Sequence, residues 1–274
     1  GNSGQLSSEV PGQSLIIAGG GSQTGGGSLV TVAGALIDFF AGTFTVPPGT
    51  SPFMGSGIFR VNGGTLSITG SNFNRQTFNQ NGGTLNIAGA FNLTSFVTFN
   101  FNGGEIIGVP LLNSGTLNIP SGTLTFNAGF TQTAGQTTLS GGSLSANSAL
   151  QFQGGLLSGT GTIAGSVSNS GIVSPGAASG PQAGTLTIRG EGDLRNNGTL
   201  STAAGTRLSI EGEGELDNYG TLSAGGQLNL SGDGSLDNYG MFAADGATIQ
   251  LSGESDIENQ GTMRLTNSVV SLSG

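Results

Sequence analysis

Four residue types are missing from this chain of 274 residues: cysteine, histidine, tryptophan and lysine. Without cysteine or histidine there can be no disulfide and no metal centre of the usual Cys/His kind. Without histidine or lysine as a base, the common serine and threonine triads cannot be assembled. The lack of lysine also excludes Lys–Asn isopeptide crosslinks. Only carboxylate chemistry remains, and we expect the chain not to be an enzyme.

Charge and long apolar runs are also scarce. Charged residues make up 8% of the chain, and the formal net charge is −9. This acidic balance argues against nucleic acid and anionic membranes as partners. No apolar run reaches the roughly 20 residues of a membrane-spanning helix, so we expect no membrane insertion. The chain begins with glycine and shows no signal-peptide pattern, so we expect a mature form or a fragment.

What the chain does contain is a repeat of about 21 residues, clearest between Leu194 and Leu272. The segments LRNNGTL, LDNYGTL, LDNYGMF and IENQGTM follow one another in this region. Aligning them gives an asparagine column and a glycine column, which consist of Asn196, Asn218, Asn238 and Asn259, and of Gly198, Gly220, Gly240 and Gly261. A period of this length is typical of solenoids, propellers and arrays.

The alternation inside one repeat predicts strands. From Leu208 to Gly226, one set of alternate residues is apolar, small or asparagine, and the other set holds every charge. A period of two residues indicates β-structure. Glycine at this frequency would weaken a helix by about 1 kcal/mol per residue. We predict an all-β chain that forms a right-handed parallel β-helix, or β-solenoid, of about 12–13 rungs of about 21 residues each.

Stacking of the rungs explains the two columns. Neighbouring rungs lie about 4.8 Å apart, so an inward asparagine at a bend can bond the amides above and below it. The glycine that follows allows either a positive φ or a close approach of the backbone. We predict that these eight residues form a structural ladder.

Local composition divides the chain into regions. Residues 1–57 are the least periodic and are predicted to be an irregular N-terminal cap or a strand-donating segment. Residues 58–130 carry Asn-Gly-Gly rungs, and Phe59, Phe78 and Phe99 are predicted to stack inside. Residues 131–190 are less regular rungs with a loop at 175–182, and residues 191–274 are regular acidic rungs. The solenoid is thus predicted to span residues 58–274.

The middle region carries a family resemblance. GTGTIAGSVSNSGIVSPG at residues 159–176, followed by AGTLTI at residues 183–188, resembles the repeat of autotransporter passenger domains and related large bacterial surface β-helix proteins. The close match covers about 30 residues, and the rest of the chain resembles these repeats only in its general character. The resemblance implies a β-helical surface protein and does not imply one particular activity.

Outward acidic columns are the candidates for a binding site. The repeat aligns two sets, which are Glu213 with Asp233 and Glu254, and Asp217 with Asp237 and Glu258. Stacked carboxylates could hold calcium, which takes several oxygen ligands. They also offer the spacing of a glycosidase pair, with Asp217, Asp233 and Asp237 as the nearest candidates. A plain solvated face explains the same columns, and we assign no catalytic residue, no metal and no cofactor.

Two ion pairs are predicted to offset part of the repulsion between these acids. They join adjacent rungs and are Arg189 with Glu211, and Arg195 with Asp217. Exposed pairs of this kind are worth about 0–1 kcal/mol each.

We predict an extracellular or cell-surface structural protein, a rigid solenoid subunit that stacks head to tail into surface or matrix filaments. The final run SVVSLSG repeats half a rung and carries no polar cap, so its strand edge could pair with another copy of this chain. The alternative is an adhesin or passenger domain that binds glycans or host surfaces. A polysaccharide-active β-helix enzyme is the third candidate.

Overall fold

The computed structural model describes residues 4–24, 26–47, 53–73, 76–176, 184–189, 193–254 and 256–273. These residues form strands, turns and bends. No helix that is long and apolar enough to cross a membrane occurs among them.

The strands are short and follow one another closely along the chain. In the first half they are Gln5–Ser8 (β1), Ser14–Ile17 (β2), Gly21–Ser22 (β3), Ser28–Thr31 (β4), Leu36–Phe39 (β5), Thr43–Val46 (β6), Phe53–Gly55 (β7), Ile58–Val61 (β8), Thr65–Phe73 (β9), Thr77–Gln80 (β10), Thr84–Leu93 (β11), Thr98–Phe101 (β12), Glu105–Gly108 (β13), Leu111–Asn113 (β14), Thr116–Ile119 (β15), Thr123–Phe126 (β16) and Phe130–Gln132 (β17).

In the second half they are Gln136–Ala146 (β18), Leu150–Phe152 (β19), Leu156–Ala164 (β20), Val167–Asn169 (β21), Ile172–Pro175 (β22), Gly184–Arg189 (β23), Leu194–Asn196 (β24), Thr199–Thr202 (β25), Thr206–Gly212 (β26), Leu216–Asn218 (β27), Thr221–Ala224 (β28), Gln227–Gly232 (β29), Leu236–Asn238 (β30), Met241–Asp245 (β31), Thr248–Gly253 (β32), Ile257–Asn259 (β33), Thr262–Thr266 (β34) and Val269–Ser273 (β35).

Each turn of the chain passes three faces in a fixed order. In one turn β27 lies on face 1, β28 on face 2 and β29 on face 3, and each pairs in parallel with its equivalent about 21 residues further on. On face 2, twelve such pairings lead from β2 to β34. The predicted parallel β-solenoid is therefore confirmed, with about 12 turns. Its right-handed sense stays a prediction.

The alternation of the sequence places the core between the three faces. Leu216, Leu222 and Leu228 come from faces 1, 2 and 3 of one turn, and all three are fully buried. Asp217, between two inward residues, points outward. Burying a leucine side chain contributes about 1.5–3 kcal/mol, and the gain recurs at every turn.

Phenylalanine fills the core of the N-terminal half. Phe59, Phe78 and Phe99 lie in register on face 2 and are fully buried, as predicted. The rings of Phe78 and Phe99 stack with centroids 5.4 Å apart and planes inclined by 5°. Parallel in-register strands produce this geometry directly, because equivalent side chains lie one above another.

The described parts of residues 1–57 also contribute to the stack. Strands β1, β2 and β3 pair in parallel with β4, β5 and β6, and these pair with the strands of the next turn. Whether this segment acts as a cap, and where the region boundaries lie, stays a prediction. Of the loop predicted at 175–182, all but Pro175 and Gly176 lies outside the described residues.

Candidate functional surface

The asparagine column lies at the bend between faces 1 and 2, inside the solenoid. The Nδ2 group of each asparagine donates to Oδ1 of the asparagine one turn further on. The distances are 2.8 Å from Asn196 to Asn218, 2.7 Å from Asn218 to Asn238 and 2.6 Å from Asn238 to Asn259. The same Nδ2 groups also donate to backbone carbonyls of the next turn, at Thr221, Met241 and Thr262. The amides are thus used for joining turns.

The column continues beyond the four residues identified from the sequence. Asn169 donates to Oδ1 of Asn196 over 2.7 Å and is fully buried. Its segment, VSNSG, has the same spacing as the later repeats, so the sequence did contain the signal. Its distance of 27 residues from Asn196, instead of about 21, hid the relation.

The glycine column provides room for the backbone. Within this described region, no positive φ occurs at Gly198, Gly220, Gly240 or Gly261. A Cβ atom built on Gly220 would overlap the carbonyl oxygen of Gly198 in the preceding turn. Of the two reasons predicted for these glycines, close approach of neighbouring turns is the one that applies.

The acidic residues lie in columns on the outside of the last turns. Asp217, Asp237 and Glu258 follow one another in register on face 1. Glu213, Asp233 and Glu254 each follow one of the paired glycines Gly212, Gly232 and Gly253, at the bend from face 3 to face 1.

These carboxylates repel one another. The pKa of Asp217 is raised first by burial and then by Asp237, against the opposing effect of Arg195. The pKa of Glu215 is raised by burial and then by Asp193. In the part of the chain that is described, no three Asp or Glu residues lie together in a way that could hold a metal ion. A cation-binding or catalytic role for these acids stays a prediction.

Two exposed tyrosines lie beside the acidic column of face 1. The rings of Tyr219 and Tyr239 stack with centroids 4.7 Å apart and planes inclined by 9°. The guanidinium group of Arg195 lies 4.7 Å from the centroid of the Tyr219 ring. Arg195 is in register with Asp217 but forms no ion pair among the described residues, because its guanidinium lies over the tyrosine instead. The other predicted pair, Arg189 with Glu211, is confirmed at 3.0 Å.

Face 3 of the last turns carries a shallow polar trough, which the sequence did not indicate. Its volume is about 350 Å³, and its lining includes Arg207, Glu211, Asn229 and Gln250. The Oδ1 atom of Asn229 is shielded from solvent and accepts no hydrogen bond from any described residue. Serine, asparagine and glutamine occur throughout the chain, so no sequence pattern marks this group.

Comparison with known proteins places the chain in a family. The sequence model of the haemagglutinin repeat matches residues 1–38, 61–119, 110–174 and 181–267. No curated protein and no solved structure matches the chain. Proteins with this repeat are adhesin-like or structural and non-enzymatic, and they are typically secreted or at the cell surface. The matches cover most of the chain and fit its β-solenoid fold, and the chain therefore belongs to the haemagglutinin repeat family of bacterial surface β-helix proteins.

Proposed function

We propose that this chain is the rigid shaft of an extracellular, adhesin-like surface protein. The observation that carries the proposal is the core, in which inward side chains of about 12 turns lie directly over one another. Backbone ladders and buried asparagine bonds stiffen such a stack, and the chain has no cysteine for a disulfide. At about 4.8 Å per turn, the shaft is roughly 60 Å long.

Small-angle X-ray scattering of the purified chain tests the shaft. A rod of constant cross-section gives a linear cross-sectional Guinier region and a maximum dimension of roughly 60 Å for the monomer. A compact spherical particle would contradict the proposal.

We also propose that shafts associate end to end. Support comes from the inward side chains of the last described turn: Leu265, Val270 and Leu272 are 42%, 38% and 67% exposed. Their equivalents one turn earlier, Ala244, Ile249 and Leu251, are buried. A turn from a second copy laid on β33, β34 and β35 would cover these side chains and pair their backbone groups.

Light scattering coupled to chromatography tests this association over a range of concentrations. Leu272→Arg is expected to abolish any concentration-dependent growth. Leu112→Arg is the matched control, because Leu112 is also exposed, at 44%, but lies on the side of the rod. Monomers at every concentration, or equal effects of both substitutions, would contradict end-to-end association. Neither result would affect the proposal that the chain is a shaft.

Glycan binding is the second candidate, and the polar trough on face 3 favours it. Hydroxyl-rich ligands are recognised through hydrogen bonds, and the trough offers a guanidinium, a carboxylate and two amides. A glycan array compares the wild type with Asn229→Ala and Gln250→Ala, with the exposed Ser223→Ala on face 2 as control. Loss of a glycan signal in the two trough variants alone supports the candidate, and no signal with the wild type excludes it.

A further inference from the structure

The ladder of face 3 is interrupted between β13 and β16. β13 pairs with β11 on one side, and β16 pairs with β18 on the other. Both lie wholly within the described residues 76–176, yet they do not pair with each other. The repeat spacing would place Ile107 beside Thr125, so two parallel strand edges face one another without a ladder between them.

The interruption is confined to this one face. At its start, the hydroxyl of Ser121 donates to the carbonyl of Asn102 over 2.9 Å. At its end, the backbone N–H of Leu111 donates to the carbonyl of Gly129 over 3.1 Å. The same two turns remain joined by β12 with β15 on face 2 and by β14 with β17 on face 1. Two intact ladders therefore flank an open one.

Proline at the bend explains the loss of pairing. In the preceding turns, the N–H of Asn81 donates to the carbonyl of Val61, and that of Asn102 to the carbonyl of Gln80, over 2.8 and 2.7 Å. The equivalent position one turn later is Pro120, which has no N–H to donate to Phe101. Pro110, directly after β13, is a second residue of this turn that has no N–H.

The gap is also underfilled. A cavity of about 190 Å³ lies there, and its lining includes Phe101, Ile106 and Leu124. A second place where described strands do not pair, between β7 and the face 1 end of β9, differs in this respect. There the rings of Phe53 and Phe73 stack 5.5 Å apart and occupy the space.

We propose that the gap between β13 and β16 is a joint at which the rod bends. Faces 1 and 2 act as the hinge, and face 3 opens. Opening breaks no backbone hydrogen bond between these two strands, and few packed atoms oppose it, because the cavity already separates the edges. Bending exposes both strand edges together with Phe101 and Leu124. The joint refines the proposed shaft, which is rigid on either side of this gap, and it does not depend on end-to-end association or glycan binding.

Distance measurements between paired spin labels test the joint. The chain contains no cysteine, so introduced cysteines carry the labels without background. Ile107→Cys with Thr125→Cys spans the gap. Asn229→Cys with Gln250→Cys is the control, because these outward residues are in register on the paired strands β29 and β32 of the same face.

We expect a broad distance distribution with a long-distance tail for the pair across the gap, and a narrow one for the control. Pro120→Asn restores the missing donor and is expected to narrow the distribution across the gap. Hydrogen exchange of the unlabelled chain should be at least about tenfold faster at Ile106 and Thr125, whose N–H groups face the gap, than at Leu228, whose strand β29 pairs with β32. Equally narrow distributions for both pairs, or equal exchange at these amides, would overturn the joint.

Discussion

The side-chain amide of Asn218 donates a hydrogen bond to Oδ1 of Asn238 over 2.7 Å, one full turn of the solenoid away. Oδ1 of Asn218 accepts a bond from Asn196, and its Nδ2 also reaches the carbonyl of Met241. Because each amide is a donor toward the next turn and an acceptor from the preceding one, the ladder has a single direction. It joins neighbouring turns in a fixed register.

Removing one amide from this ladder is expected to destabilise the fold. Asn218→Ala leaves the buried Oδ1 of Asn238 and the carbonyl of Met241 without this donor, and an unpaired buried group costs about 1–3 kcal/mol. We expect the free energy of unfolding to fall by about 3 kcal/mol in a denaturant titration followed by circular dichroism. Asn229→Ala, which removes an outward asparagine on face 3 of the same turn, should cost far less. Equal losses would mean that the ladder contributes no special stability.

Adding a methyl group to the glycine column is expected to separate two turns. Gly220→Ala places a Cβ against the carbonyl oxygen of Gly198, which is backbone and cannot move aside. Overpacking of this kind costs about 1–3 kcal/mol. Gly19→Ala is the matched control, because Gly19 has no positive φ and a Cβ there meets no atom within 4 Å. Thermal unfolding of the two variants should therefore differ, and similar melting temperatures would contradict the close approach.

Truncating a stacked ring in the core is expected to have the largest effect. Phe78 is fully buried, and its ring contacts both Phe99 and Phe73. Replacing a buried phenylalanine by alanine costs about 3–5 kcal/mol through lost burial and the cavity left behind. Phe40→Ala, at a site that is 51% exposed, is the control. Chemical denaturation should show a large loss for Phe78→Ala only.

Mild acidification is expected to relieve repulsion on face 1. Burial and Asp237 raise the pKa of Asp217 above its ordinary 3.8, and burial and Asp193 raise that of Glu215 above its ordinary 4.5. A raised pKa means that the folded chain binds these protons more tightly than the unfolded chain. Their contribution to stability therefore grows as the pH falls from neutral through the raised values, and it levels off below the ordinary ones.

The double variant Asp217→Asn with Glu215→Gln isolates this effect. At neutral pH it should be more stable than the wild type, and the difference should shrink on acidification. Added salt should shrink it as well, because it screens the exposed charges. A stability difference that is independent of both pH and salt would show that repulsion between these carboxylates is not its cause.

Residue alternation and period were enough to predict the parallel stack and several contacts within it. Asn218 over Asn238, Phe78 over Phe99, and Arg189 beside Glu211 all follow from equal spacing in neighbouring turns. The polar trough could not be predicted, because its serine and amide columns have the same composition as much of the chain. Asn169 was missed because one turn is longer than the period.

Local alternation and turn length establish which side chains point inward and which of them stack, and both can be read from the sequence. Where turns fail to pair, and which partner a long side chain contacts, depends on the folded backbone. The gap between β13 and β16 depends on how the bends around Pro110 and Pro120 place two backbones. The guanidinium of Arg195 lies over the ring of Tyr219 and does not pair with the carboxylate of Asp217. Both groups are within reach of Arg195, and only the packing of face 1 distinguishes between these two partners.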